Sequence, residues 1–270
     1  MLVLVCAAGC GRLGFESERA SDAAAVDAAS DATVDAAIDA SVDAARAPLT
    51  LDPGFPIVVE LDATPGTTIT TPVFTTPGPN RLLVGVFVWG TGGTDEAPLT
   101  LDGAGLTWTQ RVFTTFLPGS VPPGTSGDAI WTAWAATPMT GRVTAARSST
   151  TETAVLTLAV YSFANAAETP GATGTHTDQM TNTPLLADVK TTAAGSWVVG
   201  GFHHGTAHAI RTPTPDTVYD ITDDPTKAPN GHFHAIGRYR GVTTGPGTIT
   251  IGSSDTGPYS LVSALEILQR

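Results

Sequence analysis

Histidine is the side chain best suited to binding transition metals or exchanging protons near neutral pH, and it is concentrated in two short stretches of this chain. GFHHGTAHAI, residues 201–210, carries His203, His204 and His208, and GHFHAIGRYR, residues 231–240, carries His232 and His234. Side chains two positions apart on a strand share a face, so the second pair is a usable platform for zinc or copper. The chemistry suggested by these residue types is therefore metal binding.

The spacing also limits that hypothesis. His203 and His204 are consecutive, so on a strand they point to opposite faces and at most one can join a given cluster. A metal site needs His208 or one of these two to reach the His232–His234 pair, and a loop carboxylate such as Asp220 could complete the ligand set. Surface or strand-end histidines without a metal are the alternative, and the sequence favours it.

Motifs for nucleophilic or phosphate chemistry are absent from the sequence. GTSGD at 124–128 lacks the Gly-x-Ser-x-Gly spacing, and there is neither a phosphate-binding glycine loop followed by Lys nor a zinc pattern of paired cysteines. The pairs Asp95-Glu96 and Asp223-Asp224 could bind calcium, although solvated turns are the favoured interpretation. A glycan-active enzyme would need two opposed carboxylates that the sequence does not locate. The sequence therefore favours a protein that is not an enzyme.

Aromatic side chains give a further candidate, a carbohydrate-binding face. Trp131 and Trp134 are three positions apart, so on a regular strand one faces the core and at most one is free to stack on a sugar. Trp89 ends its strand, and burial in the core is the expectation for it.

Composition restricts the partners. The chain has 270 residues, and its 25 acidic and 13 basic residues give a net charge of −12. A chain without a basic stretch is a poor ligand for nucleic acid or for an anionic membrane. Contact with a membrane must therefore come from something other than charge.

The N-terminus supplies such an anchor. Residues 1–10 read MLVLVCAAGC, which is too short an apolar run to span a bilayer. The Ala7-Ala8-Gly9-Cys10 sequence resembles the lipobox of bacterial lipoproteins, although Ala7 replaces the usual Leu and the basic start of a signal peptide is missing. The resemblance implies a signal peptide over 1–9, lipid on Cys10 and, with Gly11 rather than Asp next, an outer-membrane, cell-surface location.

The following segment fits a tether. Residues 10–47 include SDAAAVDAASDATVDAAIDASVDAAR, in which Asp recurs every four residues from position 27 to 43. On a helix these carboxylates would repel one another, and no apolar stripe is available for docking. We expect a disordered spacer, similar to the Asp/Ala-rich spacers of bacterial surface lipoproteins.

From residue 48 the sequence is typical of a strand-rich domain. Short β-type runs such as 82–89, 154–163 and 196–202 alternate with turns rich in Gly and Pro. This spacing predicts an all-β, antiparallel β-sandwich of jelly-roll-like type over 48–270. The alternative is a pair of tandem sandwiches joined by the polar stretch 164–182.

The two halves of this domain, about 70–163 and 183–268, resemble each other. LVGVFVW at 83–89 matches VVGGFHH at 198–204, and VLTLAVYSF at 155–163 matches SLVSALEIL at 260–268. The early run 57–61 has no evident counterpart, and we expect it to pair with the final strand and close a sheet.

The apolar patterns over 70–268 resemble a secreted β-sandwich type found in bacteria and associated with phage. The likeness lies in the early LLV strand, the LTWT strand and the terminal strand ending in Glu-Ile-Leu. That type has no general catalytic role. We therefore expect a lipid-anchored binding, adhesion or structural module whose partner is an extracellular carbohydrate or protein, with a histidine metal-binding protein or a secreted glycan-active enzyme as the alternatives.

Overall fold

Runs of Val, Ile, Leu and Thr between Gly and Pro turns form the strands of this protein. The computed structural model describes residues 47–65, 68–91, 99–116, 126–147, 153–178, 183–205, 212–222, 233–257 and 259–270. Every named strand pair in these ranges is antiparallel. The predicted all-β antiparallel sandwich is confirmed. Within the same ranges, no helix is long and apolar enough to cross a membrane.

The described residues form eighteen strands. Those of the first half are β1 (Thr50–Leu51), β2 (Ile57–Pro65), β3 (Thr68–Thr70), β4 (Phe74–Thr75), β5 (Arg81–Thr91), β6 (Leu99–Gly103), β7 (Thr109–Thr115), β8 (Ser126–Ala135), β9 (Thr140–Gly141), β10 (Val143–Arg147) and β11 (Thr153–Ala164). Those of the second half are β12 (Thr173–Asp178), β13 (Pro184–Thr191), β14 (Trp197–His204), β15 (Thr217–Thr222), β16 (Phe233–Tyr239), β17 (Gly247–Thr256) and β18 (Ser260–Ile267).

The main sheets stack in four layers. The first inner sheet has the order β1-β11-β5-β8-β7, with β2 also beside β11, and the second has the order β12-β18-β14-β16-β15. One apolar cluster joins the facing sides of these two inner sheets. Separate clusters join the first inner sheet to the outer sheet β3-β10-β6, and the second to the outer pair β13-β17. Each half is thus a sandwich, and the two sandwiches pack through their inner sheets.

The two halves share one topology. The order β2-β11-β5-β8-β7 in the first half corresponds to β12-β18-β14-β16-β15 in the second, and β3-β10 corresponds to β13-β17. The internal repeat predicted from sequence is therefore a repeat of strand order.

The expected pairing of the early strand with the final strand is wrong. β2 pairs with β11, whereas the neighbours of the final strand β18 are β12 and β14. Each half completes its inner sheet with an early strand of its own, β2 in the first half and β12 in the second. The counterpart of β2 is β12, which lies inside the polar stretch 164–182 that the tandem-sandwich alternative treated as a linker.

The register of the last strands also differs from the sequence alignment. That alignment matches Tyr161 with Glu266. In the structure Tyr161 lies opposite Val84, and Leu265 lies opposite Val199, the counterpart of Val84. A shift of one residue moves every side chain of a strand to the other face. Tyr161 and Leu265 therefore face the opposite half, and Glu266 faces away from it.

The central strands of both inner sheets are buried on both faces, which explains their continuous apolar sequence. On β5, Val84 and Val86 face the second half, and Leu83 and Phe87 face the outer sheet of the first half. The strand β14 has the same arrangement: Val199 faces the first half, and Val198 and Phe202 face the outer pair.

Candidate functional site

Strand register brings two of the histidines together inside the protein. His203 on β14 lies directly opposite His234 on β16, and their ring centroids are 5.0 Å apart. Both side chains are fully buried between the inner sheets, where Thr157 Oγ1 is 3.4 Å from His234 Nδ1 and the Phe116 ring meets His203 edge-on.

The other predicted metal ligands do not join this pair in the part of the chain that is described. His204 lies on the opposite face of β14, where it is paired with Phe233 of the outer cluster, as expected for consecutive residues. His208 and His232 lie outside the described residues, as does Cys10. Within the described ranges, no group of three or more His, Cys, Asp or Glu residues could hold a metal ion.

This arrangement gives a test of the metal hypothesis. We expect the His203–His234 pair to provide no micromolar site for zinc or copper chloride in isothermal titration of the full chain, because two imidazoles supply fewer than the roughly three or four protein ligands that zinc sites use. Tight binding that disappears in a His234→Gln variant would contradict the expectation.

The histidine pair belongs to a buried polar layer between the two inner sheets. Each inner sheet contributes three side chains to this layer. The first contributes Thr114, Asp128 and Thr157, and the second contributes His203, His234 and Ser263. Ser263 donates its hydroxyl proton to Asp128 Oδ1, and the Thr114 and Ser263 hydroxyl oxygens are 2.7 Å apart.

Asp128 is the most perturbed carboxyl group in this layer. Burial raises its pKa to about 8, and hydrogen bonds from Ser263 and Thr114 only partly offset that rise. Its Oδ2 has no hydrogen-bond partner among the described residues. The carboxyl is therefore largely neutral at pH 7. Its side chain is completely buried and therefore separated from solvent.

Sequence reasoning missed Asp128, although a signal for it exists. Asp128, Ile130 and Thr132 alternate along β8, and Ile130 is part of the cluster between the halves. The alternation therefore points Asp128 into the same interface.

Asp220, a candidate metal ligand in the sequence, has other partners in the structure. It accepts a hydrogen bond from the Tyr161 hydroxyl at 2.8 Å and one from Arg238 Nε at 3.1 Å. The Arg238 guanidinium also lies 5.2 Å from the centre of the Trp197 ring. This network joins β11 of the first half to β14, β15 and β16 of the second. The pairs Asp95-Glu96 and Asp223-Asp224 lie outside the described residues.

The junction pocket is a surface cavity of about 410 Å³ on the β7-β8 side of the first half. Among the residues that line it are Thr107, Thr109, Arg111, Thr132, Trp134 and Glu168. Trp134 is partly exposed, whereas Trp131 is buried against the outer sheet, so the two side chains face opposite ways as their spacing predicts. Trp89 is buried in the core, as expected.

A second cavity, of about 490 Å³, lies beside β12 and β13. Its lining includes His176, Asp188 and Leu186. Its described lining contains no Trp, Tyr or Phe side chain. His176 is the one histidine outside the two histidine-rich stretches, and sequence reasoning attached no role to it.

Comparison with known proteins finds no relative for this architecture: no family model, no curated protein and no solved structure matches the chain.

Proposed function

We propose that this chain is a cell-surface binding module that is held at the outer membrane by lipid on Cys10 and is not an enzyme. The observation that carries the proposal is the separation of two kinds of polar group. The strongly perturbed carboxyl, Asp128, and the histidine pair are sealed between the inner sheets. The solvent-facing junction pocket instead combines a partly exposed indole with hydroxyl groups and one charge of each sign.

This separation favours binding over catalysis. General acid–base catalysis requires a proton-transfer group within hydrogen-bond reach of the substrate. A cavity with an aromatic surface and a few polar groups is typical of ligand recognition.

The anchor follows from the N-terminal sequence. An acyl chain on Cys10 would supply the membrane affinity that an acidic protein lacks, and the Asp/Ala-rich segment would separate the sandwich from the membrane surface. The proposed partners are the membrane, through lipid, and an extracellular ligand.

The anchor is tested by expressing the gene, preceded by a basic signal-peptide start, in a bacterium with an outer membrane. We expect the wild-type protein to fractionate with the outer membrane and to carry acyl mass on Cys10, and Cys10→Ser to lose both. Mass spectrometry of the N-terminal peptide and membrane fractionation measure these outcomes. Cys6→Ser is the matched control, because Cys6 would leave with the signal peptide. A soluble wild-type protein without lipid mass would refute the anchor.

A further inference from the structure

We infer that the junction pocket binds a neutral carbohydrate, with the indole of Trp134 as the stacking surface. This inference rests on the proposed binding function and specifies its ligand. It begins from a difference between the two halves at one equivalent position.

Each half carries a β-bulge at the same place. In the first half the register of β7 against β8 shifts between Gln110 and Val112, so that Arg111 is the extra residue. In the second half the register of β15 against β16 shifts between Tyr219 and Ile221, so that Asp220 is the extra residue. A bulge redirects a side chain out of the regular alternation. Arg111 and Asp220 are therefore equivalent positions.

The partners of the two bulge residues are equivalent as well. Thr132 lies opposite Val84 and Arg238 lies opposite Val199, which are corresponding positions in the two halves. Arg111 Nε donates to Thr132 Oγ1 at 2.8 Å, and Arg238 Nε donates to Asp220 Oδ1 at 3.1 Å. Both halves thus tie the bulge to the neighbouring strand by one side-chain hydrogen bond.

Only one of the two bulges is covered by the other half. Tyr161 reaches across from β11 and bonds to Asp220, whereas the residue that corresponds to Tyr161 in the second half is the apolar Leu265. Arg111 remains exposed, and its hydrogen bond with Thr132 lies in the lining of the junction pocket. The bulge at Asp220 is thus covered by the opposite half, whereas the bulge at Arg111 borders a cavity.

The chemistry of the cavity selects its ligand. Arg111 and Glu168 contribute opposite charges, so the lining attracts neither anions nor cations strongly. The hydroxyl groups of Thr107 and Thr109 both donate and accept hydrogen bonds. Trp134 packs against the core, and its exposed part offers a flat apolar surface. A pyranose has an apolar C–H face and a rim of hydroxyl groups, and it matches both kinds of surface.

The size and stiffness of the pocket agree with this ligand. A volume of about 410 Å³ falls within the usual range of small-molecule sites, roughly 300–1,000 Å³. Thr132 lies on β8 between β5 and β7, and Trp134, near the end of β8, is paired with Leu82 of β5, so neither residue is on a loop. The stacking surface is therefore fixed before the ligand arrives, which lowers the entropic cost of binding.

The test uses the full chain carrying Cys10→Ser, to keep it free of lipid, on an array of neutral and acidic glycans. We expect binding to at least one neutral glycan. The best ligand is then titrated by calorimetry, and Trp134→Ala should weaken its affinity by about tenfold or more. Phe113→Ala is the matched control, because Phe113 is an exposed aromatic residue outside the pocket lining, and it should bind like the parent.

A second variant protects the test against misfolding. Trp134 touches the core, so Glu168→Gln is added, because Glu168 is exposed and its replacement leaves the packing intact. It should also weaken binding, because an NH2 donor replaces one of the two carboxylate oxygens that accept hydrogen bonds from sugar hydroxyls. If neither variant changes the affinity, the ligand binds elsewhere on the protein. That result would refute the pocket assignment but not the proposed binding function. Selective binding of acidic glycans, or no binding on the array, would overturn the carbohydrate proposal. The lipid test on Cys10 is independent of all these outcomes.

Discussion

Replacing Asp128 with Asn will remove a large part of the pH dependence of folding. The pKa of Asp128 is about 8 in the folded protein, and the ordinary value of 3.8 applies when the chain unfolds. Below about pH 4 the carboxyl is protonated in both states, and its neutral form contributes fully to stability. As the pH rises towards 8, ionisation favours the unfolded chain. The free energy of unfolding of the wild-type protein therefore loses on the order of 1.4 kcal/mol per pH unit from this group.

Asn keeps the oxygen that accepts the hydrogen bond from Ser263 but cannot ionise. The cost of burying the extra N–H groups of Asn is the same at every pH. The difference between the two proteins in the slope of unfolding free energy against pH therefore reports the ionisation of the Asp128 carboxyl alone. Urea denaturation at several pH values between 5 and 8 measures this difference. Asp216→Asn is the matched control, because it makes the same substitution at an exposed position. Equal slopes for the wild-type protein and Asp128→Asn would show that Asp128 ionises normally.

Replacing Glu266 with Gln will have the opposite dependence on pH. The buried carboxylate of Glu266 accepts hydrogen bonds from the backbone N–H groups of Ala172, Thr192 and Ala193 and from the Thr192 hydroxyl. Burial alone would raise its pKa, but hydrogen bonds from Ala172, Thr192 and Ser196 outweigh that effect and lower the pKa below its usual value. Its contribution to stability is therefore present at neutral pH and is lost as the pH falls through the lowered pKa.

We expect Glu266→Gln to destabilise the protein by about 3 kcal/mol at pH 7, because an amide N–H₂ then faces backbone donors and leaves them unpaired. The loss should shrink in acid, where the wild-type carboxyl also becomes neutral. Chemical denaturation at pH 7 and in acid measures both values. Glu168→Gln is the matched control, since Glu168 is exposed on the connection between the halves. An equal loss for the two variants would contradict the role given to Glu266.

Gly171 belongs to the same arrangement. A side-chain carbon at this position would overlap the Glu266 carboxylate, so the absence of a side chain lets the connection between the halves pass directly over the charge. Glu266 thereby ties this connection and the turn after β13 to the final strand.

Local pattern predicts the central strands well. The continuous apolar runs of β5 and β14 indicate burial on both faces, and the alternation rule places His203 and His204, and Trp131 and Trp134, on opposite faces. These properties depend only on the period of a strand and on which residues are apolar.

Pairing between distant strands is not contained in that pattern. The edge strand β12 has the polar sequence THT within it, because an edge strand half exposed to water needs few apolar residues. Its polarity is typical of a loop rather than a strand, so the sequence pattern offers β2 no counterpart in the second half. The one-residue register difference at Tyr161 and the bulge at Arg111 depend on tertiary packing, so the junction pocket could not be located from sequence.

The contact between the halves has a consequence for symmetry. Two identical sandwiches packed through the same inner face would form a symmetric homodimer. In such a dimer every contact between the subunits occurs twice, once in each direction. Such a dimer carries the same residue at both bulges, so both bulges would be open or both closed. Covalent linkage of two unlike copies removes this constraint. One half holds Asp220 against Tyr161 across the contact, and the other half, with Arg111 exposed, can vary at this position without weakening that hydrogen bond.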